Sequence, residues 1–103
     1  MILFLYLKYK RSENLIVTFE YDPDKSSSNL HKHGIDFERA QLLWGDPNAL
    51  EIRAKSDSES RYALIGKIEE KIWIAFYTYR GDSVRLISVR RTRENEKRIY
   101  DES

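Results

Sequence analysis

Apolar positions along this chain follow a helical spacing in its first half and a strand spacing in its second. Leu15-Ile16-Val17-Thr18-Phe19-Glu20-Tyr21 is rich in β-branched and aromatic residues and reads as a first strand. Asp22-Pro23 ends it and starts a helix, with Asp22 as N-cap and Pro23 in the first helical position. That helix runs to His33 and stops at Gly34, which tolerates positive φ. Leu30 is nearly its only large apolar residue, so the helix is predicted to be polar, exposed and shallowly buried. A second helix opens at Asp36. Phe37, Ala40, Leu43 and Trp44 then recur at i, i+3, i+6 and i+7, an amphipathic stripe closed by Gly45 and Pro47.

From Ala49 onward the period becomes that of strands. Ala49 to Lys55, Arg61 to Ile68, Lys71 to Tyr79 and Ser83 to Arg90 are separated by the polar loop Ser56-Asp57-Ser58-Glu59-Ser60, by Glu69-Glu70 and by Gly81-Asp82. Such short links join antiparallel neighbours. Thr92 then caps a last helix through about Glu102, with Glu94 favourably placed in its first turn. The pattern predicts an α+β fold in the order β-α-α-β-β-β-β-α: an antiparallel sheet, two helices before it and one after. Residues 15–103 form a single domain. Met1 to Asn14 precede it as an extra edge strand or a loosely held extension. After the initial methionine its apolar run is the six residues Ile2 to Leu7, shorter than a signal-peptide core and with its basic residues on the wrong side, which points to a cytoplasmic protein.

Composition narrows the class. Hydrophobic residues at 41% and aromatic residues at 13% describe a folded chain, since a disordered one is poor in both. The absence of cysteine excludes disulfides, thiolate metal sites and cysteine nucleophiles. Asp22-x-Asp24-x-Ser26 resembles the start of a calcium loop, but Ser27 and His33 stand where glycine and glutamate are needed. His31 and His33 are two residues apart on a helix, about 200° around its axis, and cannot close on one ion. No metal and no cofactor are expected.

Net charge is only +1, so its placement matters more than its total. Between Arg80 and Arg98 seven basic residues face three acidic ones, a local +4 that leaves −3 for the remainder. Arg80, Arg85, Arg90, Arg91 and Arg93 are delivered by one strand and the turns at its ends. Guanidinium groups suit phosphate, and interleaved Tyr77, Tyr79 and Tyr100 could stack on unpaired bases. A solvated face with structural ion pairs, or a site for an acidic protein, accounts for the same residues.

Several strings in order raise the odds of one family: Phe19-Glu20-Tyr21-Asp22-Pro23-Asp24-Lys25, Asn29-Leu30-His31-Lys32-His33-Gly34-Ile35-Asp36-Phe37, Asp46-Pro47, Glu59-x-Arg61-Tyr62-x-x-Ile65-Gly66, Tyr77-Thr78-x-Arg80-Gly81-Asp82 and Arg85-x-Ile87-Ser88-x-Arg90-Arg91-Thr92, with Glu96 and Tyr100 behind. Together they resemble the BrnT toxins of bacterial type II toxin–antitoxin systems. Val89 stands where alanine is common in that family. The resemblance implies a RelE-like fold, RNA cleavage that arrests translation, and a cognate BrnA-like antitoxin that neutralises the toxin and binds DNA. The toxin itself would meet DNA only through that partner, in a complex of two copies of each, and no membrane is involved.

Metal-free RNA cleavage requires a base for the 2′-hydroxyl, cations for charge building on phosphorus and an acid for the leaving oxygen. His33 is the candidate for proton transfer, Arg61, Arg80 and Arg85 for the phosphate, and Glu96 and Tyr100 for the remaining acid–base work. Lys67, Tyr77, Arg90, Arg91 and Arg93 are candidates for holding RNA. Strand alternation sends Arg90 and Arg91 to opposite faces. A protein that binds RNA or its antitoxin without cutting needs only the arginines and aromatics.

Overall fold

The computed structural model describes residues 4–8, 17–54 and 60–103. Strand β1 (Phe4–Lys8) is followed by β2 (Thr18–Glu20), helices α1 (Pro23–His33) and α2 (Phe37–Ala40), a 3-10 helix (Gln41–Gly45), strands β3 (Leu50–Ala54), β4 (Arg61–Ile68), β5 (Lys71–Arg80) and β6 (Ser83–Arg91), and helix α3 (Glu94–Glu102). The strands form one sheet in the order β1-β3-β4-β5-β6-β2. The α+β class and the sequence of helices and strands after residue 17 agree with the hydrophobic pattern. Leu15, Ile16, Lys55 to Glu59 and the extension outside Phe4–Lys8 lie outside the described residues.

Three expectations are corrected. The sheet is mixed rather than antiparallel, because β2 lies parallel to β6, pairing Thr18 with Ser83 and Glu20 with Arg85. Residues between β2 and β6 include the whole helical layer, a crossover long enough to return the chain in the same direction. The second helix is α-helical only to Ala40 and tightens into a 3-10 helix. Phe37, Ala40 and Leu43 are spaced by three, which three residues per turn keeps in line. Leu43 there lies against Gly66, where an added Cβ would come within 3.2 Å of it. The last helix is capped at Arg93, not Thr92, whose hydroxyl donates instead to the Ile72 carbonyl at 3.3 Å.

Two cores sandwich the sheet. On one face Ile35, Phe37, Ala40, Leu43 and Trp44 from the helical layer meet Leu64, Trp73, Ala75, Tyr77, Val84, Leu86 and Val89. On the other, Ile99 and Tyr100 of α3 cover Ile52, Ala63, Ile65, Ile72 and Ile74. Alternation along β5 supplies both sets. In β6 it is interrupted: Phe76 pairs with Ser88 but Tyr77 with Leu86, so Ile87 is an extra residue. This bulge keeps Val84, Leu86 and Val89 on the helical face despite the odd spacing between Leu86 and Val89.

Helix α1 begins and ends as its sequence demands. The Asp22 carboxylate accepts from the Asp24 N–H at 2.8 Å, and Gly34 adopts φ 79°. Its buried side is polar, however. Leu30 is 50% exposed, while Ser26 and Asn29 face inward. Asn29 accepts from the Val89 N–H at 3.1 Å and donates to the Val89 carbonyl at 2.9 Å and the Ile35 carbonyl at 2.7 Å. Its amide replaces a neighbouring strand where β2 has ended. Ser26 accepts from the Phe37 N–H at 2.9 Å, tying α1 to α2.

Removing the Asn29 amide strands three buried backbone groups. Asn29→Ala is expected to cost about 2–4 kcal/mol, whereas Leu30→Ala costs less than about 1 kcal/mol. Denaturant unfolding of the two variants measures the contrast, and equal losses would contradict the role given to Asn29.

Candidate functional site

Helix α3 covers only the β3–β4–β5 part of its face, leaving the β5–β6–β2 end open. The register lays out what occupies it. Glu20, Arg85 and Thr78 are direct cross-strand neighbours. Extending the β4–β5 register by one pair sets Arg61 beside Thr78, whose hydroxyl donates to the Ser60 carbonyl at 2.9 Å. Arg80 and Ser83 form the next pair outward, with Thr18 beside Ser83 and the two hydroxyls 3.0 Å apart. Phe76 and Ser88 form the next pair inward, followed by Ile74 and Arg90. Arg61, Arg80, Arg85 and Arg90 therefore share one face.

Their surroundings differ. Arg90 is clamped by both oxygens of Glu96, each at 2.9 Å, and lies over the Phe76 ring at 5.4 Å. Arg85 makes a single, longer ion pair with Glu20 at 3.5 Å, both side chains remaining substantially exposed. Arg80 is exposed and has no ion pair among the described residues. Arg61 is exposed at the start of β4. Arg80 and Arg85 thus offer guanidinium donors that no carboxylate encloses, in the planar geometry that suits an anion.

Glu96 and Tyr100 work as docking groups. Burial raises the Glu96 pKa, but the Arg90 hydrogen bonds, the Arg93 N–H at 2.8 Å and the nearby positive charges outweigh it and hold the carboxyl below its usual range. Burial, and then the Asp46 carboxylate that accepts its hydroxyl at 2.6 Å, push the Tyr100 phenol well above its ordinary value. Asp46 also accepts the Lys67 N–H at 2.8 Å, beyond α3 from the arginines. Lys67 itself lies six residues along β4 from Arg61, roughly 20 Å at a strand's rise.

Other candidates fall elsewhere. Tyr77, expected to stack on bases, is fully buried on the helical face, packed on Trp44 at 5.0 Å and donating to Glu51. That expectation is corrected: its place in β5 is set by core packing, and Phe76, one residue earlier, is the aromatic on the arginine face. His33 is exposed at the end of α1, in the layer on the far side of the sheet, and is not brought beside the arginines. Arg91 turns to the opposite face from Arg90, over the Trp73 ring at 5.5 Å. Arg93 is exposed at the start of α3. A concavity of about 550 Å3 on the helical side, between Phe19, Leu42, Trp44 and the acidic Asp36 and Glu38, lies apart from the cationic platform.

Residues 21–96 match the family model described as "Ribonuclease toxin, BrnT, of type II toxin-antitoxin system". The chain belongs to the BrnT family. Comparison with the curated proteins gave no match. Membership makes this a ribonuclease toxin of a toxin–antitoxin system, whose biology requires an antitoxin. No helix among the described residues is long and apolar enough to cross a membrane.

Within this BrnT protein, reading charge density alone missed Glu20, Phe76, Thr78 and Ser88. Alternation back from Arg80 finds Thr78 and Phe76. Alternation back from Arg90 likewise finds Ser88, whereas Glu20 emerges only once β2 is known to pair with β6.

The lowered Glu96 pKa makes the α3 clamp sensitive to acid. A carboxylate with a depressed folded pKa adds stability that is present above its unfolded value, near 4.5, and lost as pH falls through the folded value. The stability gap between wild type and Glu96→Gln is therefore expected to be open at neutral pH and to narrow below about pH 4.5. Denaturant titrations across that range check it; a gap independent of pH would contradict the ionised clamp.

Proposed function

We propose that this BrnT protein is a metal-independent endoribonuclease whose substrate lies on the open face beside α3. The observation that carries this reading is the placement of Arg61, Arg80 and Arg85 on that face, with Arg80 in no ion pair among the described residues and Arg85 held only by a long one. An RNA phosphate held there places its developing charge among three guanidinium groups, the electrostatic stabilisation that phosphoryl chemistry requires. The 2′-hydroxyl of the same nucleotide attacks that phosphate, giving a 2′,3′-cyclic phosphate and a free 5′-hydroxyl. Phe76 offers a ring for a neighbouring base. His33 has no part in this arrangement, and Arg90 serves it by holding α3 and Phe76 in place.

Cutting RNA in the cytoplasm arrests translation. A BrnA-like antitoxin would neutralise the toxin by laying an acidic segment over the arginines, in a complex of two copies of each. The antitoxin would carry the DNA contact. The helical layer on one face of the sheet and the single helix on the other fit a RelE-like arrangement.

A second reading, RNA or antitoxin binding without cleavage, draws on the engagement of Glu96 by Arg90 and of Tyr100 by Asp46. Both groups expected to move protons already have partners.

Incubating the purified protein with end-labelled RNA in EDTA separates the two. Cleavage with cyclic-phosphate ends is expected, while RNA methylated at the 2′-oxygens binds and stays intact. Arg80→Ala and Arg85→Ala should each lower the rate by about 10²–10³, the usual cost of one transition-state donor, and relieve growth arrest when the toxin is expressed alone. Full activity in both variants would refute the arginine assignment. Binding without any cleavage would favour the second reading.

A further inference from the structure

We infer that Glu20 is the general base that takes the proton from the 2′-hydroxyl, an inference that rests on the ribonuclease reading of the same face. Glu20 on β2 and Glu96 on α3 flank the arginines, and a third carboxylate, Asp46, lies beyond α3. Glu96 spends both oxygens on Arg90 and one also on the Arg93 N–H. Asp46 accepts from Tyr100 and from the backbone N–H groups of Lys67 and Asn48. Glu20 has one contact, with Arg85 at 3.5 Å, and a side chain 42% exposed. Of these three, Glu20 is the carboxylate with lone pairs to offer.

Its position is fixed by its neighbours in sequence. Phe19 turns to the opposite face and meets Trp44 edge-on at 5.0 Å, and Tyr21 meets Phe37 at 5.6 Å. These two rings anchor a strand of only three residues, and Glu20 between them is presented to the arginine face beside Arg85. A 2′-hydroxyl and the phosphate it attacks belong to one nucleotide. A base and a phosphate-binding cation on adjacent strands, about 4.8 Å apart, match that separation.

The Glu20 carboxylate removes the 2′-hydroxyl proton while the oxygen bonds to phosphorus. The bond to the 5′-oxygen breaks, its electron pair leaves with that oxygen, and a water molecule at the open face returns a proton to it. Arg85, Arg61 and Arg80 take up the extra negative charge in between. Glu20 then gives its proton to solvent.

The test compares wild type with Glu20→Gln, which keeps the shape and an oxygen facing Arg85 but cannot act as a carboxylate base. Single-turnover cleavage of a short RNA in EDTA should fall by about 10²–10⁴ in this variant, and the acidic limb of the pH–rate profile should vanish. Affinity for the 2′-O-methyl RNA should stay within about threefold and the melting temperature should hold. As an independent arm, formate should restore part of the rate to Glu20→Ala and none to Arg85→Ala. Glu20→Gln cleaving like wild type overturns the assignment while leaving the ribonuclease reading intact. So does a loss of cleavage matched by an equal loss of binding, which would make Glu20 a positioning residue for Arg85. If wild type binds the RNA and never cuts it, both proposals fall together.

Discussion

One extra residue in β6, Ile87, sets the relation between the two faces of this molecule. Arg85 and Arg90 are five positions apart, so in an uninterrupted strand they would face opposite ways. Val84 and Leu86 would likewise be out of phase with Val89. The bulge opposite Phe76 and Tyr77 shifts the phase once, and both mismatches vanish together. The apolar residues unite in the core beneath the helices, while the arginines unite on the face beside α3. Core packing thereby enforces the clustering of charge. The buried side chains gain hydrophobic stabilisation only in the register that also gathers the guanidinium groups.

That register has to be defended, because β2 is short and leaves the outer edge of β6 unpaired beyond Arg85. Asn29 fills the place of the missing strand by bonding both backbone groups of Val89, two residues past the bulge. A hydrophobic residue on α1 could bury area there but could not satisfy those groups. The low apolar content of α1 thus has a structural cause. The helix is held by a few directed hydrogen bonds, and its outer surface remains polar.

On the arginine face, electrostatics divides similar residues into two kinds. Arg90 is neutralised by a bidentate carboxylate and stacked on a ring, which stiffens the junction of β6 and α3. Arg80 and Arg85 stand where no such partner encloses them. Self-repulsion among incompletely paired guanidinium groups destabilises the isolated protein somewhat and favours a bound anion or an acidic partner. On the proposed reading, substrate and inhibitor would recognise the same features of this one surface.

Much of this was legible in the residues themselves. Asp22-Pro23 and Gly34 delimit α1 because capping and positive φ are local chemistry. The two-residue turns after Ile68 and Arg80 likewise specify the hairpins from short-range geometry. The ordered strings from Phe19 to Tyr100 pointed to the BrnT family before any coordinates. Long-range features were hidden. Nothing near Thr18 announces that β2 runs parallel to β6, and nothing near Ile87 announces a bulge, since both depend on which side chains pack across the sheet. Tyr77 and Phe76 are equally aromatic neighbours, and only the core decides which is buried. The sequence by itself determined the elements, their order and the chemical inventory, because those follow from local propensity and composition. Tertiary structure decided which charges share a face and which are already spent, because pairing register and burial are properties of the folded whole.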